Sequence, residues 1–390
     1  MRVSEHPEDT MRMQAVTAMY KLVGGDGSPY SCKMRAVLRY RRIAFRWIPQ
    51  WTLAAITHTG ESGSIWKDHF PELKARVIPI LVRPDGSYGN DSTPLILELE
   101  RTVPNDRSII PKSPGEAFLA ALLEDFADEW LTKVMFEGRF HTEHEANFGA
   151  AWQVWQGPQR VADPAVLDKM AAIFAERQRF RRKGIVGSGG WPVMETVLRE
   201  VCQVLTAMWR KQGSPYLFGA RPTNADFALF GQLRQCAVDP FPSRVMHEFP
   251  CAWSWVWQMD DLSGIEPPSD DATHGALPPP AVMALLNLAA RTHLPLLQAN
   301  AHAVSSGEEE VIVDILPTDH GSGATVHRQP PFRYQATYCW PKLQMQYAQL
   351  HGTEREYVNA ALDKSGCARF FNSTSTGTST GPVKSKLSKL

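Results

Sequence analysis

The sequence has no C-x-x-C pair, no phosphate-loop glycine motif, no excess of either charge and no apolar run long enough to cross a membrane. Each absence excludes a class of function. The six cysteines, Cys32, Cys202, Cys236, Cys251, Cys339 and Cys367, are scattered, so they read as free thiols in a reducing compartment, not as a disulfide framework or a zinc site. Lys+Arg and Asp+Glu number 41 each, which leaves no overall positive field to collect nucleic acid or an anionic membrane. The one basic run, Arg177-Gln178-Arg179-Phe180-Arg181-Arg182-Lys183, reads as the solvated face of a helix. G-x-x-x-x-G-K-S/T is missing, because Lys33 follows Cys32 rather than Gly, and G-x-G-x-x-G fails at Tyr30, where a third glycine is required. His141 and His144 stand three residues apart without a third ligand or an H-E-x-x-H frame, so no metal is expected. The polar start, MRVSEHPEDTMRM, lacks the apolar segment of a signal peptide; the expectation is a soluble chain outside the usual secretory route.

What is present describes a globular protein of two or three domains: 390 residues, 43% hydrophobic and 21% charged. Ala18–Val23 predicts a short buried strand, Met34–Arg42 a helix, and Phe45–Ile48 a second strand. Val77–Val82 and Tyr88 predict a hairpin around Arg83-Pro84-Asp85-Gly86, and Pro94–Leu99 returns to helical spacing. Strand, helix, strand, helix, hairpin, helix makes a small α/β layer, residues 15–105 after a tail at 1–14. From Ser113 the pattern changes. Phe118, Leu122, Phe126, Trp130 and Val134 recur every fourth residue, which predicts one long amphipathic helix. Further helices are expected near Pro164–Phe180, Met194–Lys211 and Asn224–Cys236, so residues 106–264 form an all-α domain.

Residues 265–280, IEPPSDDATHGALPPP, read as a proline-rich acidic linker. An additional mixed C-terminal extension, 281–371, follows: a helix from Ala281, a strand at Glu310–Asp314 and a helix from Pro341 to about Tyr357. Residues 372–390 form a Ser/Thr/Gly-rich tail that cannot build a core. It ends in Ser388-Lys389-Leu390, the address read by the peroxisomal import receptor, so the expected location is peroxisomal, with the cytoplasm as the alternative.

The stretch VGGDGSPYSCKMR, residues 23–35, carries the chemistry. Ser28 stands where an N-cap belongs, Pro29 at the first helical position and Ser31 at the third. A helix starting there directs free N–H groups and a positive dipole end at whatever precedes it, which lowers the pKa of a thiol held there. G-S-P-Y-S-C-K-M-R after a first strand, V-I-P-I-L entering a hairpin, and Asp91-Ser92 leading a helix together resemble the thioredoxin-like domain of glutathione transferases. The Ser-Pro-aromatic form is similar to the tau class, whereas omega-class members place Cys at that position.

The resemblance covers about residues 16–260 and implies roles at matching positions. Glutathione would be the co-substrate and no metal would be used. Ser28, with Ser31 or Cys32 as alternatives, would serve the thiolate. Tyr30, Val77, Ile78, Pro79, Asp91 and Ser92 would bind glutathione, with a cis-proline at Pro79, and Asp91-Ser92 would take the γ-glutamyl end. Thr223-Asn224-Ala225-Asp226 resembles the structural capping box of the helical domain, with Thr223 and Asp226 as its members. Trp130 and Phe136, with Phe140, lie where the family lines its electrophile pocket, and core packing is an equal reading of them. A homodimer acting in detoxification is what the family implies. Ser28 and Asp91-Ser92 also read as plain helix caps, and Cys32 as a small core residue or a redox thiol. Two other functions stay open: a glutathione-dependent thiol-disulfide reductase or isomerase leaning on Cys32, and a catalytically silent protein-interaction module docking through the extension.

Overall fold

The computed structural model describes residues 19–53, 65–156, 163–268, 275–316 and 324–371. The tails at 1–14 and 372–390, with Ser388-Lys389-Leu390, and part of the linker lie outside them.

Strand β1 (Tyr20–Gly24) buries Leu22 and Val23 at the centre of a four-stranded sheet of order β2-β1-β3-β4. It pairs in parallel with β2 (Phe45–Pro49) and antiparallel with β3 (Ile80–Val82), and β4 (Tyr88–Asn90) forms the other edge. The parallel pair requires a crossover, supplied by helix α1 (Pro29–Tyr40). Two single turns follow, α2 (Gln50–Leu53) and α3 (Ile65–Asp68), and α4 (Ser92–Thr102) closes the layer. Gly86 at φ 87° makes the β3–β4 turn, as its sequence predicts. The strand expected from Val77 begins only at Ile80. Pro79 has no N–H to offer the ladder, and Asn90 Nδ2 takes the carbonyls of Ala75 (2.6 Å) and Val77 (3.2 Å).

The helix expected from Ser113 is a rod in three parts: α5 (Pro114–Asp125), a π-helical turn (Phe126–Leu131) and α6 (Thr132–Phe140). Apolar residues every four positions would drift about 40° per turn around an ordinary α-helix. The wider π turn takes up that drift, so Phe118, Leu122, Phe126, Trp130 and Val134 all stay in the core. Helices α7 (Glu143–Trp155) and α8 (Pro164–Val186) pack along each other. Then come α9 (Gly190–Ala207), α10 (Asn224–Val238), α11 (Pro240–His247) and α12 (Pro250–Met259). At the start of α10, Thr223 N and Oγ1 donate to Asp226 Oδ2 at 2.9 and 2.8 Å, and Leu217 N donates to Asp226 Oδ1. These two residues hold a helix end and stand apart from the cleft.

The extension contains α13 (Pro280–Arg291), α14 (His293–Ser306), an antiparallel ribbon of β5 (Val311–Ile315) and β6 (Thr325–Gln329), a π turn (Gln335–Cys339), α15 (Trp340–Ala348), α16 (Gly352–Ser365) and a last turn at Ala368–Phe371. The single helix expected over 341–357 is therefore two helices. Gly352, at φ 54°, starts the second, and buried Leu350 pins the corner. The extension shares one continuous apolar core with the rest, α13 against α9 and α15 and α16 against α5. Glu354 Oε2 accepts from Gly115 N at 2.7 Å and Ser113 Oγ at 2.6 Å, placing a carboxylate at the N-terminus of α5.

Candidate functional site

A cleft of about 1230 Å³ opens where the α/β layer, the helical region and the extension meet. One wall is the first turn of α1. Ser28 is the N-cap: its Oγ accepts from Ser31 N at 3.2 Å, and its N–H bonds Gly25 O at 3.0 Å. A hydroxyl accepting in this way keeps its own proton to donate, and Ser28 lines the cleft. Tyr30 also lines it, with its hydroxyl committed to Asp128 O at 2.8 Å. Ser31 is fully buried behind them, its Oγ without a partner. Cys32 is likewise fully buried and off the cleft wall; burial pushes its thiol up, and Gln235 Nε2 lies 3.4 Å from its sulfur.

The facing loop brings Val77 and Ile78 to the cleft, and the Ile78–Pro79 bond is cis, with Pro79 buried behind. Asp91 and Ser92 lie on the same wall at the start of α4. Asp91 makes no side-chain capping bond to α4. Its Oδ2 instead accepts from the hydroxyl of Tyr334, in the extension, at 2.7 Å. Met135, Phe136, Phe140, Met170 and Phe174 form the apolar part of the cleft. Trp130 is not among them: it is fully buried, packed against His327 with ring centroids 5.8 Å apart. The fourfold spacing that identified Trp130 cannot tell which face of the rod meets the core.

Ionisable groups concentrate where the three regions meet. Lys33 Nζ lies 2.6 Å from both Glu124 Oε1 and Asp128 Oδ2, joining α1 to α5 and the π turn. Burial opposes that ammonium, but the two carboxylates outweigh it and hold Lys33 above its ordinary value. Burial pushes Asp128 up to about 6 against the pull of Lys33, and Glu124, desolvated as well, is held below its ordinary value by the same amine. Glu129 accepts from Gln335 Nε2 at 2.9 Å, and desolvation with nearby Asp125 pushes it up to about 8. Lys133 donates to Ile185 O (2.5 Å) and Gln329 Oε1 (2.7 Å), and burial brings it down to about 8 despite Glu129. Asp125 pairs with His293 of the extension at 2.7 Å.

Sequence reasoning missed Tyr334, Gln335 and the Lys33 cluster. The run Glu124-Asp125-Phe126-Ala127-Asp128-Glu129 was visible, but a row of acids on an amphipathic helix reads as a wet face. Lys33 of α1 covers Glu124 and Asp128, and the extension covers Asp125 and Glu129. His141 Nδ1 sits 3.0 Å from Glu137 Oε1, and its ring stacks on Phe241 at 4.8 Å. Among the described residues no group of three or more potential ligands could hold a metal, and no helix is long and apolar enough to cross a membrane.

Residues 22–107 match the family model for the glutathione S-transferase N-terminal domain, and residues 165–256 that for the glutathione S-transferase C-terminal domain. None of the curated proteins compared with the chain matches it. Solved structures similar to it include a glutathione S-transferase from Rhodospirillum rubrum, 17% identical, covering 68% of this chain and 99% of its own, with a TM-score of 0.39. A tau-class enzyme from mango is 15% identical over 62% of this chain and 89% of its own, with a TM-score of 0.36. A glutathione S-transferase from Methylobacillus flagellatus, solved with glutathione bound, is 20% identical over 63% and 96%, also at 0.36. The two domain matches fall in chain order on the α/β layer and on the helical region, and by them the chain belongs to the glutathione S-transferase superfamily.

Proposed function

We propose that the cleft binds glutathione and activates its thiol for attack on a small apolar electrophile. The observation that carries this reading is Ser28 at the N-terminus of α1, on the cleft wall, with its hydroxyl proton uncommitted. The glutathione S–H gives its proton to solvent, and the thiolate is held by the Ser28 hydroxyl and the helix end. Sulfur then forms the new C–S bond, while the electron pair of the broken bond leaves with the leaving group or moves onto the acceptor. Lowering a thiol from about 8.5 to near 7 requires about 2 kcal/mol, within reach of one charge-assisted hydrogen bond and a helix terminus. The backbone of Val77 and Ile78 would take the cysteinyl unit and Asp91-Ser92 the γ-glutamyl end. Met135, Phe136 and Phe174 would hold the electrophile.

The reductase reading lacks a reactive thiol. Cys32 does not reach the cleft, and the thiol of Cys339, which does, is pushed up by burial and by Asp125. A homodimer, peroxisomal delivery through Ser388-Lys389-Leu390 and a detoxifying role belong to the same proposal, resting on the family and on the tail sequence.

Calorimetric titration of glutathione into the full chain, Ser28→Ala and Asp91→Ala, with thiolate absorbance followed against pH, tests the core of it. The expected result is binding by the wild type, lost affinity in Asp91→Ala, and retained affinity with an unshifted thiol in Ser28→Ala. No heat with the wild type would overturn it and leave the silent-module reading.

A further inference from the structure

We propose that the second substrate of this cleft is an amphiphile with a carboxylate head, and that Arg177 and Arg181 on α8 bind the head. This rests on the reading above that the cleft takes an electrophile beside glutathione. Residues 170, 174, 177, 178 and 181 follow one another at helical spacing along the cleft-lining face of α8. The face changes character along its length: Met170 and Phe174 are apolar, then come Arg177, Gln178 and Arg181. Phe174 packs edge-on against Trp51 of α2, with centroids 5.7 Å apart. Gln153 of α7 lies against Gly27, the residue before Ser28, so closely that a Cβ on Gly27 would stand 2.2 Å from its Oε1. The apolar end of the stripe therefore lies toward the Ser28 loop, and the arginines lie farther along the helix. Seven residues from Phe174 to Arg181 span about 10 Å at 1.5 Å per residue.

The other arginines of this run have carboxylate partners: Arg182 pairs with Glu137 at 2.5 Å and Arg179 lies 3.9 Å from Glu143. Arg177 and Arg181 have none among the described residues. Among the described residues the Arg181 guanidinium donates only to Gln178 Oε1, at 3.2 Å. The two lie one turn apart on the exposed rim of the cleft, and the nearby protein together with Arg177 holds Arg181 below its ordinary value. An arriving anion relieves that repulsion and can take forked hydrogen bonds from either guanidinium. The acids of the cleft, Asp91, Glu124, Asp125, Asp128 and Glu129, belong to α4, α5 and the π turn, where Tyr334, Lys33, His293 and Gln335 engage them. The acids of the cleft thus gather at the α4–α5 side, where Lys33 and Lys342 also stand, while α8 brings only Arg177 and Arg181 as charged groups to the cleft, whose volume exceeds what a single small ligand fills.

The experiment compares decanoate with decanol, and glutathione separately, by calorimetry on the full chain and on an Arg177→Gln/Arg181→Gln double variant. Both positions are solvent-facing, so the variant folds; Arg177→Lys/Arg181→Lys is the conservative control. Decanoate is expected to bind the wild type about tenfold more tightly than decanol, as a charge-assisted pair gives. The double Gln variant should lose that preference, the Lys variant should keep part of it, and glutathione binding should not change. Equal binding of acid and alcohol by the wild type overturns the proposal. So does a double variant that loses glutathione affinity and keeps the preference for decanoate, since the arginines would then serve the glutathione carboxylate. A chain that binds decanoate through the arginines and shows no heat with glutathione upholds this site and removes the transferase reading.

Discussion

Asp91 sits at φ 77° and ψ 120°, a conformation that residues with a side chain rarely adopt, and it makes no capping bond to the helix it precedes. A residue held there is held by something outside its own loop. Here that is Tyr334, which belongs to the extension and reaches Asp91 across 243 positions of sequence. Burial and the neighbouring Asp91 carboxylate push the Tyr334 phenol well up, so it donates as a neutral hydroxyl. Under the proposal that Asp91 takes the γ-glutamyl end, Tyr334 would be its positioning residue. Tyr334→Phe is expected to weaken glutathione binding by about fivefold to tenfold, the worth of one ordinary hydrogen bond acting through Asp91. Asp91→Ala should weaken it more, and the thiol pKa of bound glutathione should not move in Tyr334→Phe. Calorimetry with thiolate absorbance separates the two effects. An unchanged affinity would show the contact to be structural only. The motif Asp91-Ser92 was legible in the sequence; its partner was not, because no local pattern marks Tyr334.

The elements that place Ser28 are α1 and α10, which meet at Gly231. A Cβ on Gly231 would stand 2.6 Å from the carbonyl oxygen of Pro29, a backbone atom that cannot swing aside. The contact bears on the proposed thiolate site because Pro29 is the first residue after Ser28, and α10 behind it is anchored by the Thr223–Asp226 box. On an open helix surface Gly→Ala stabilises by about 1 kcal/mol. Gly231→Ala is expected to do the reverse, destabilising by about 1–3 kcal/mol through overpacking. It should also impair thiolate formation, because the first turn of α1 must move. Urea unfolding and thiolate absorbance on this one variant check both effects; a more stable protein with an unshifted thiol would refute the argument. The sequence showed α1, its cap and the box of α10 as separate local signals, and these are the elements it located best. It could not show that the two helices touch. It also could not show the π turn, which arises because apolar spacing of four conflicts with 3.6 residues per turn. Where local spacing and capping decide, the chain is readable; where long-range contact decides, as at Gly231, Trp130 and the split between α15 and α16, it is not.

At the scale of the whole molecule the extension and the first two regions form one core, so a pH-dependent group at their junction acts on the stability of the entire chain. Glu129, on the π turn and bonded to Gln335 of the extension, is such a group. Its folded value of about 8 is above its unfolded value, so between those values the folded state holds a proton that the unfolded state has lost. Stability therefore falls as pH rises through that window. Asp128 and Asp226, pushed up to about 6 chiefly by burial, act in the same direction but are essentially deprotonated in both states by pH 7. His327, brought down to about 4 by burial, acts the other way, since the unfolded imidazole holds a proton that the folded one lacks, but this ends by about pH 7. Lys133, brought down to about 8 by burial, opposes the fall above that value. The buried thiols of Cys32, Cys202, Cys236, Cys339 and Cys367, however, are all pushed up and keep protons that the unfolded chain loses there, so stability goes on falling as pH rises further. The expected curve falls from neutral pH into the alkaline range, with Glu129 setting its first part. Glu129 lines the cleft and is only half-buried, so solvent screening keeps the fall from pH 6.5 to 8 near 1 kcal/mol. Calorimetric melting of wild type and Glu129→Gln across pH 6–10 measures it. The wild type should melt in a single transition at temperatures that fall as pH rises, and Glu129→Gln should lose the fall between pH 6.5 and 8 while keeping the fall above it. Two separate transitions would mean that the extension is an independent unit. A Gln variant with the same slope between pH 6.5 and 8 would place the responsible proton elsewhere.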